Sequence, residues 1–191
     1  MLLNMTIDEA RDFIEFAEII KEYQVIPGHF RPCLTSPYRT GYDWLYRFEQ
    51  DVAKFLGPKL KFHPSDLTGE KSLLHQALSN AFDHAHHRNR LKPITVRILL
   101  GSKGFIIQVT DCGRGFNLQR MFKHCRKNRR YLSSVGDGLR LMAANHRYGV
   151  FYNRKGTSFH LLFLYEENLD EQLSNHFAVV PKTRQEPAHA H

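Results

Sequence analysis

Three polar residues recur at intervals of four in the segment LLHQALSNAFDHAHHRN, residues 73–89: they are Gln76, Asn80 and His84. Residues four apart lie on the same side of an α-helix, so these side chains would share one ligand or one stretch of solvent. The amide oxygen of Asn80 suits Mg²⁺, whereas a histidine cluster suits zinc. Ligand binding and a plain exposed helix face are both open at this segment.

A zinc site would need His84 together with His86 and His87. Adjacent side chains diverge by about 100° on an α-helix, so His86 and His87 do not point to one ion. No cysteine or carboxylate completes the set at a useful spacing, which argues against zinc. The chain has three cysteines without C-x-x-C spacing, which indicates a reducing compartment rather than a disulfide scaffold: Cys33, Cys112 and Cys125.

The stretch DCGRGF, residues 111–116, puts a carboxylate at the end of a predicted strand and two glycines after it. Asp111 can accept a hydrogen bond from the exocyclic amine of a base. Gly113 and Gly115 let the backbone turn sharply and approach a ligand closely. An ordinary turn between strands explains the same residues when they are taken alone.

Two further glycine motifs follow in the chain. In SVGDGLRLM, residues 134–142, Gly136 and Gly138 precede a predicted helix whose first N–H groups would suit a phosphate. Gly156 and Thr157 stand at a predicted hairpin turn. A plain helix start and a plain turn are the alternatives for these two motifs.

These motifs need elements to position them. Helical spacing predicts helices over 6–23, 41–56 and about 69–88. The apolar side of the third comprises Leu74, Ala77, Leu78, Ala81, Phe82 and Ala85. Alternation in ITVRILL and FIIQVTD around the link GSKG predicts a β-hairpin, and GVFYN with TSFHLLFLY predicts a second. With an edge strand over 33–38 and a short helix over 137–147, this indicates an α+β fold, one sheet with helices packed on one face.

Taken in this order, the motifs resemble the nucleotide-binding fold of gyrase, the heat-shock chaperone, histidine kinases and MutL, the GHKL superfamily. LSNAFDHAH resembles its N box, DCGRGF its adenine-binding D-x-G-x-G box, VGDGLRL its second glycine box, and Gly156-Thr157 its final Gly-Thr motif. The resemblance covers residues from about 30 to 165. It implies a Bergerat-type two-layer α/β sandwich with a mixed, mostly antiparallel sheet that binds ATP with Mg²⁺.

The resemblance also implies roles for individual residues. Asn80 matches the asparagine that binds Mg²⁺, and Asp111 lies in the box that recognises adenine. The ATP-binding positions carried over are Asn80, His84, Asp111, Gly113, Gly115, Phe116, Gly136, Gly138, Leu139 and Thr157. One position departs from the pattern, because Gln76 stands where gyrase-like and anti-sigma-factor members have a general-base glutamate. An amide orients a water but takes no proton at neutral pH, so we expect hydrolysis to be weak or absent.

The nearest likeness is to single-domain anti-sigma-factor serine kinases and compact histidine-kinase ATPase domains, and His84 fits the N-A-x-x-H form of the first group. This implies a regulatory protein partner: a sigma factor, an antagonist or a response-regulator-like protein. Two functions stay open, an ATP–Mg²⁺-binding regulatory protein able to phosphorylate a partner and a pseudokinase-like interaction module in which nucleotide is dispensable. The expected organisation is a helical extension over 1–29, the ATP-binding domain over 30–168 and a tail over 169–191.

The formal net charge is +8, and one basic segment has no acidic residue: it contains Arg120, Lys123, Arg126, Lys127, Arg129 and Arg130. Such a run is a solvated loop or, between two glycine boxes, a lid over phosphates. No recognition-helix or aromatic-rich basic sheet motif accompanies it, which argues against nucleic acid as a partner. No apolar run reaches the roughly 20 residues that span a bilayer, and no secretory signal is visible, so we expect a cytoplasmic protein.

Overall fold

The structure is a computed structural model that describes residues 3–33, 35–38, 40–57, 67–118, 120 and 148–165. Its centre is a sheet of five strands: β1 (Phe16–Val25), β2 (Ile94–Gly101), β3 (Gly104–Thr110), β4 (Gly149–Tyr152) and β5 (Ser158–Leu164). The strands lie in the order β1-β2-β3-β5-β4, and every neighbouring pair is antiparallel. Both predicted hairpins, β2–β3 and β4–β5, are confirmed.

Three helices accompany the sheet: α1 (Ile7–Ile14), α2 (Asp43–Leu56) and α3 (Leu73–Asn80), which continues as a π-helical turn over Ala81–Ala85. The helix predicted over 41–56 is confirmed. The helix predicted over 69–88 is shorter at both ends. Ser72 caps its start by accepting a hydrogen bond from the N–H of His75 at 3.0 Å, and the π-helical turn replaces regular α-helix after Asn80.

The strands present two apolar faces, because successive side chains along a strand point to opposite sides of the sheet. α2 and α3 pack on one face in the larger core, where Trp44, Leu74 and Phe105 are fully buried. α1 packs with the smaller core on the other face, through Ile14 and near Leu162. The predicted α+β sandwich is confirmed. The helices do not all pack on one face, however, because α1 lies on the opposite face of the sheet from α2 and α3.

The helix predicted over 6–23 is wrong in its second half. α1 ends at Ile14 because Glu15 adopts a left-handed backbone conformation, with φ at 50°. The next ten residues form β1, which pairs with β2. Their apolar spacing suited a helix, yet the long-range pairing with β2 outweighs that local preference. Residues that the sequence assigned to a helical extension therefore belong to the sheet.

The edge strand predicted over 33–38 is also wrong. The backbone turns in the described part of this segment, where the N–H of Ser36 donates to the carbonyl of Cys33 at 3.0 Å. Pro37 has no N–H to contribute to a ladder, which disfavours a strand. The helix predicted over 137–147 and the tail over 169–191 lie outside the described residues.

Candidate ligand-binding cleft

A cleft of about 1310 Å³ lies between the α3 region and the loops that follow β3 and precede β5. Seven of the ten ATP-binding positions implied by the resemblance line it: Asn80, His84, Asp111, Gly113, Gly115, Phe116 and Thr157. They come from α3 with its π-helical turn, from the loop after β3 and from the turn between β4 and β5. The fold thus brings together motifs that are far apart in the sequence.

Asp111 is anchored where β3 ends. Its N–H donates to the carbonyl of Thr157 at 3.0 Å, and its Oδ1 accepts a hydrogen bond from the N–H of Gly113 at 2.7 Å. Partial burial raises the pKa of this carboxyl group, and the Gly113 N–H offsets part of that increase. The second carboxylate oxygen makes no hydrogen bond within the described part of the chain, so it is available to a donor in the cleft.

The two glycines of the loop are required by close contacts within the protein. Gly115 has φ at +70°, and a Cβ there would lie 1.9 Å from the carbonyl oxygen of Lys155. A Cβ on Gly113 would lie 2.7 Å from the Cβ of Ala85. The N–H of Phe116 donates to the same Lys155 carbonyl at 3.1 Å. The loop is therefore held against both the β4–β5 turn and the π-helical turn, and it forms one wall of the cleft.

Asn80 and His84 face this wall from the helix side. Neither side chain makes a hydrogen bond to another described residue, although both line the cleft. An unpartnered amide oxygen fits Mg²⁺, which prefers oxygen ligands. The described residues contain no group of three or more His, Cys, Asp or Glu able to hold a metal ion. A Mg²⁺ at Asn80 would therefore take its other ligands from a bound phosphate and from water.

The charge of the cleft is unbalanced. Lys92, Arg114 and Arg120 line it, and Asp111 is the only carboxylate among its described lining residues. A positive excess of this kind suits an anionic ligand, and the forked donors of arginine match phosphate oxygens. Sequence reasoning missed Lys92 and Arg114, although the position of Arg114 between the two loop glycines was a usable signal.

Gln76 does not line the cleft. Its Nε2 donates to the carbonyl of Glu70 at 2.7 Å, and the side chain borders a second pocket of about 320 Å³. The structure therefore does not bring the Gln76 side chain into the cleft with Asn80 and His84, and its assignment as the degenerate base position stays a prediction. Residues four apart differ by about 40° around a helix axis, which is enough to direct Gln76 to the neighbouring pocket once the Glu70 carbonyl offers an acceptor.

A buried polar network lies beside this second pocket, and sequence reasoning missed it. Glu49 of α2 is fully buried and accepts hydrogen bonds from the Tyr38 hydroxyl and from the N–H of Gly69, the latter at 3.1 Å. His75 Nδ1 lies 3.0 Å from the Glu49 carboxylate. Burial and the contact with Glu49 raise the pKa of Tyr38. The one available signal was a glutamate inside the apolar side of α2.

The remaining predicted positions cannot be placed in the cleft. Gly136, Gly138, Leu139 and the basic residues from 123 to 130 lie outside the described residues. Arg120 is described, and its N–H donates to the side chain of Asn117 at 2.8 Å. The roles of the second glycine box and of the lid therefore stay predictions.

Neither a protein-family model nor a curated protein matches this chain, so fold and site geometry alone bear on its function. Within the described residues, no helix has the length and apolar character needed to cross a membrane.

Proposed function

We propose that this chain is a cytoplasmic regulatory protein that binds ATP with Mg²⁺ and hydrolyses it weakly or not at all. The observation that carries the proposal is the placement of Asp111 beside Thr157, across one cleft from Asn80. The same cleft supplies a carboxylate for a base, an amide for a metal and cations for phosphates. Its volume of about 1310 Å³ leaves room for a nucleotide.

In this proposal the adenine end of the ligand lies at the loop after β3. The available oxygen of Asp111 accepts the exocyclic amine, a charge-assisted hydrogen bond that contributes about 1.5–3 kcal/mol. Phe116 is exposed in the same wall and offers an aromatic surface next to Tyr152, with ring centroids 5.0 Å apart. The positive excess from Lys92 and Arg114 favours the triphosphate.

Asn80 supplies the protein ligand for the metal in this proposal. Mg²⁺, when bound, neutralises charge on the phosphate oxygens. The residues themselves orient the nucleotide, because Asp111 and Thr157 are fixed by their mutual backbone hydrogen bond at 3.0 Å. Asp111 is the only carboxylate among the described residues of the cleft, and in this proposal it binds the base, so no described carboxylate is left there to act as a general base for hydrolysis.

The proposed partner is a regulatory protein, namely a sigma factor, an antagonist or a response-regulator-like protein. A second candidate function is a pseudokinase-like interaction module for which nucleotide is dispensable. The hydrogen bond between Gln76 and the Glu70 carbonyl favours it, because this side chain is engaged away from the cleft. In that case the protein would act by binding its partner. The cleft would then either regulate that binding or have no part in it.

Calorimetric titration with ATP, with and without Mg²⁺, tests the proposal. We expect Mg²⁺ to strengthen ATP binding in the parent protein and Asn80→Ala to remove most of that gain. Asn4→Ala is the control, since Asn4 is an exposed asparagine that does not line the cleft. Absence of ATP binding in the parent would refute the nucleotide proposal and leave the interaction module.

A further inference from the structure

A thiol and an imidazole meet at the wall of the cleft. Cys112 is exposed in the loop after β3, and His86 follows the π-helical turn. The Sγ of Cys112 lies 3.2 Å from Nε2 of His86, and the backbone N–H of Cys112 donates to the same Nε2 at 3.2 Å. The two residues are held together by two contacts, one of them from a rigid backbone group.

The backbone contact fixes the protonation of the ring. Because Nε2 accepts the N–H of Cys112, the neutral ring carries its proton on Nδ1. His86 is 1% exposed, and its Nδ1 has no hydrogen-bond partner in the described structure. Burial, together with the charge of Lys92, lowers the pKa of His86. The ring therefore presents an unprotonated Nε2 to the thiol.

We propose that Cys112 is a modification site for small anionic disulfides, with His86 as the group that accepts its proton. In the reaction, the backbone N–H of Cys112 gives up the Nε2 lone pair, the S–H proton of Cys112 passes to Nε2, and the thiolate attacks one sulfur of the disulfide. The S–S bond of the reagent breaks as the new one forms. The leaving thiolate takes the proton from His86, so Cys112 ends oxidised as a mixed disulfide and the reagent yields one thiol.

The charge of the cleft selects the class of reagent. Cys112 lines the same cavity as Lys92, Arg114 and Arg120, whereas Asp111 is its only described carboxylate. A negatively charged disulfide such as glutathione disulfide is therefore attracted, and a neutral one is not. Cys33 provides the comparison within the chain, because its Sγ contacts Thr35 Oγ1 at 3.5 Å and no histidine. That contact lowers the pKa of Cys33, and a lower pKa favours the reactive thiolate. Cys33 is therefore a stringent comparison for the reactivity of Cys112.

Modification at this position would close the cleft to a nucleotide. The mixed disulfide would occupy the loop between Asp111 and Gly113, where the base is placed in the proposed function. This consequence rests on the proposed function, whereas the reactivity of Cys112 does not. Oxidation would thus release ATP, and reduction by a thiol would restore binding.

The test compares single-thiol proteins. One carries Cys33→Ser and Cys125→Ser, and the other carries Cys112→Ser and Cys125→Ser. Mass spectrometry follows the reaction with glutathione disulfide and with neutral hydroxyethyl disulfide. We expect the Cys112 protein to react with glutathione disulfide at least about tenfold faster than the Cys33 protein. With the neutral reagent the advantage should be smaller, because His86 still acts but the charge of the cleft no longer attracts the reagent. Equal rates for the two thiols would overturn the proposal.

A second variant isolates the histidine. His86→Gln keeps a hydrogen-bonding amide but takes no proton, and it should slow the Cys112 reaction about tenfold or more. His29→Gln, an exposed histidine in another part of the chain, is the matched control and should change nothing. An unchanged rate in His86→Gln would overturn the role of His86, and the comparison of the two thiols stands even if this variant folds poorly.

Saturating ATP–Mg²⁺ separates this inference from the proposed function. Fast, His86-dependent reaction of Cys112 that ATP does not slow would support the modification site and count against nucleotide binding in the cleft. Slow reaction, with ATP binding intact by calorimetry, would overturn the modification site and leave the proposed function in place.

Discussion

The two sides of α3 and its π-helical turn carry polar residues in contrasting states. On the side of the second pocket, Asp83 accepts hydrogen bonds from the Tyr42 hydroxyl and from Arg88, the latter at 3.0 Å, and Gln76 donates to the Glu70 carbonyl. On the cleft side, the side chains of Asn80 and His84 have no hydrogen-bond partner among the described residues. One helix thus carries a closed polar network and an open polar surface.

This contrast separates two uses of polar groups. A buried polar group without a partner costs about 1–3 kcal/mol, so the network around Glu49 must be complete to stabilise the junction of α2 and α3. Groups that line an open cleft bear no such cost, because water satisfies them until a ligand arrives. The network beside the second pocket therefore contributes to the stability of the fold, whereas the polar groups of the cleft are open to a ligand.

The largest effect should come from breaking the closed network. Glu49→Ala leaves the Tyr38 hydroxyl and His75 without their carboxylate partner, and the Gly69 N–H keeps only the Tyr38 hydroxyl, at 2.9 Å. We expect a loss of about 3–5 kcal/mol in the free energy of unfolding, measured by urea denaturation. Asp51→Ala, an exposed carboxylate on the same helix, is the control and should change stability by less than about 0.5 kcal/mol. A loss below about 1 kcal/mol for Glu49→Ala would show that the network is dispensable.

The opposite face of the sheet offers a pH-dependent test of the same distinction. His160 of β5 is buried, with its ring stacked on Phe151 at 4.5 Å between centroids, and burial lowers its pKa to about 4. The unfolded chain, with a histidine pKa of about 6.5, binds the proton first as the pH falls. Stability present above pH 6.5 should therefore be lost progressively down to about pH 4, by about 3 kcal/mol in all.

Urea denaturation at several pH values checks this expectation. His160→Gln removes the titrating ring while leaving an amide close to Gln108, whose Nε2 lies 3.2 Å from the ring in the parent. The variant should show a flatter dependence of unfolding free energy on pH between 6.5 and 4. An equally steep dependence in the variant would assign the acid sensitivity to other groups.

Asp111→Ala tests the open side of the comparison. It should weaken ATP binding by about tenfold to a hundredfold, because it removes a charge-assisted hydrogen bond worth about 1.5–3 kcal/mol. GTP should bind the parent less well than ATP, since it presents a carbonyl in place of the amine. Asp12→Ala, an exposed aspartate on α1, is the control for calorimetry. Equal affinity of the parent for ATP and GTP would refute this role of Asp111.

Local patterns predicted the parts of the site that depend on local structure. The D-x-G-x-G loop follows directly from the β2–β3 hairpin, so Asp111 was placed correctly at the end of a strand. The structure brings Asn80 of α3 and His84 of the π-helical turn to the same cleft, and their roles there stay predictions.

Long-range contacts explain what the sequence did not predict. β1 forms because it pairs with β2, whose residues lie 69 to 85 positions further along the chain, from Val25↔Ile94 to Phe16↔Gly101. No local window of sequence contains such a partner. Glu49 is buried because Tyr38, Gly69 and His75 converge on it from three separate segments. Gln76 turned away from the cleft because of one carbonyl, that of Glu70, whose position depends on the loop before α3.

The smallest effect should come from Gln76→Glu, which exchanges an amide for a carboxylate on the closed side of α3. From spacing alone, this variant would restore a general base and raise ATP hydrolysis about 10²–10⁴-fold. Because the side chain borders the second pocket, we expect phosphate release at equal ATP occupancy to stay within about twofold of the parent rate. The variant loses the hydrogen bond to Glu70, so its unfolding free energy should fall by about 1 kcal/mol. Gln50→Glu adds the same charge to α2 and is the control. A rise of about tenfold or more in phosphate release, specific to Gln76→Glu, would show that this side chain reaches the terminal phosphate and that the two sides of α3 act as one site.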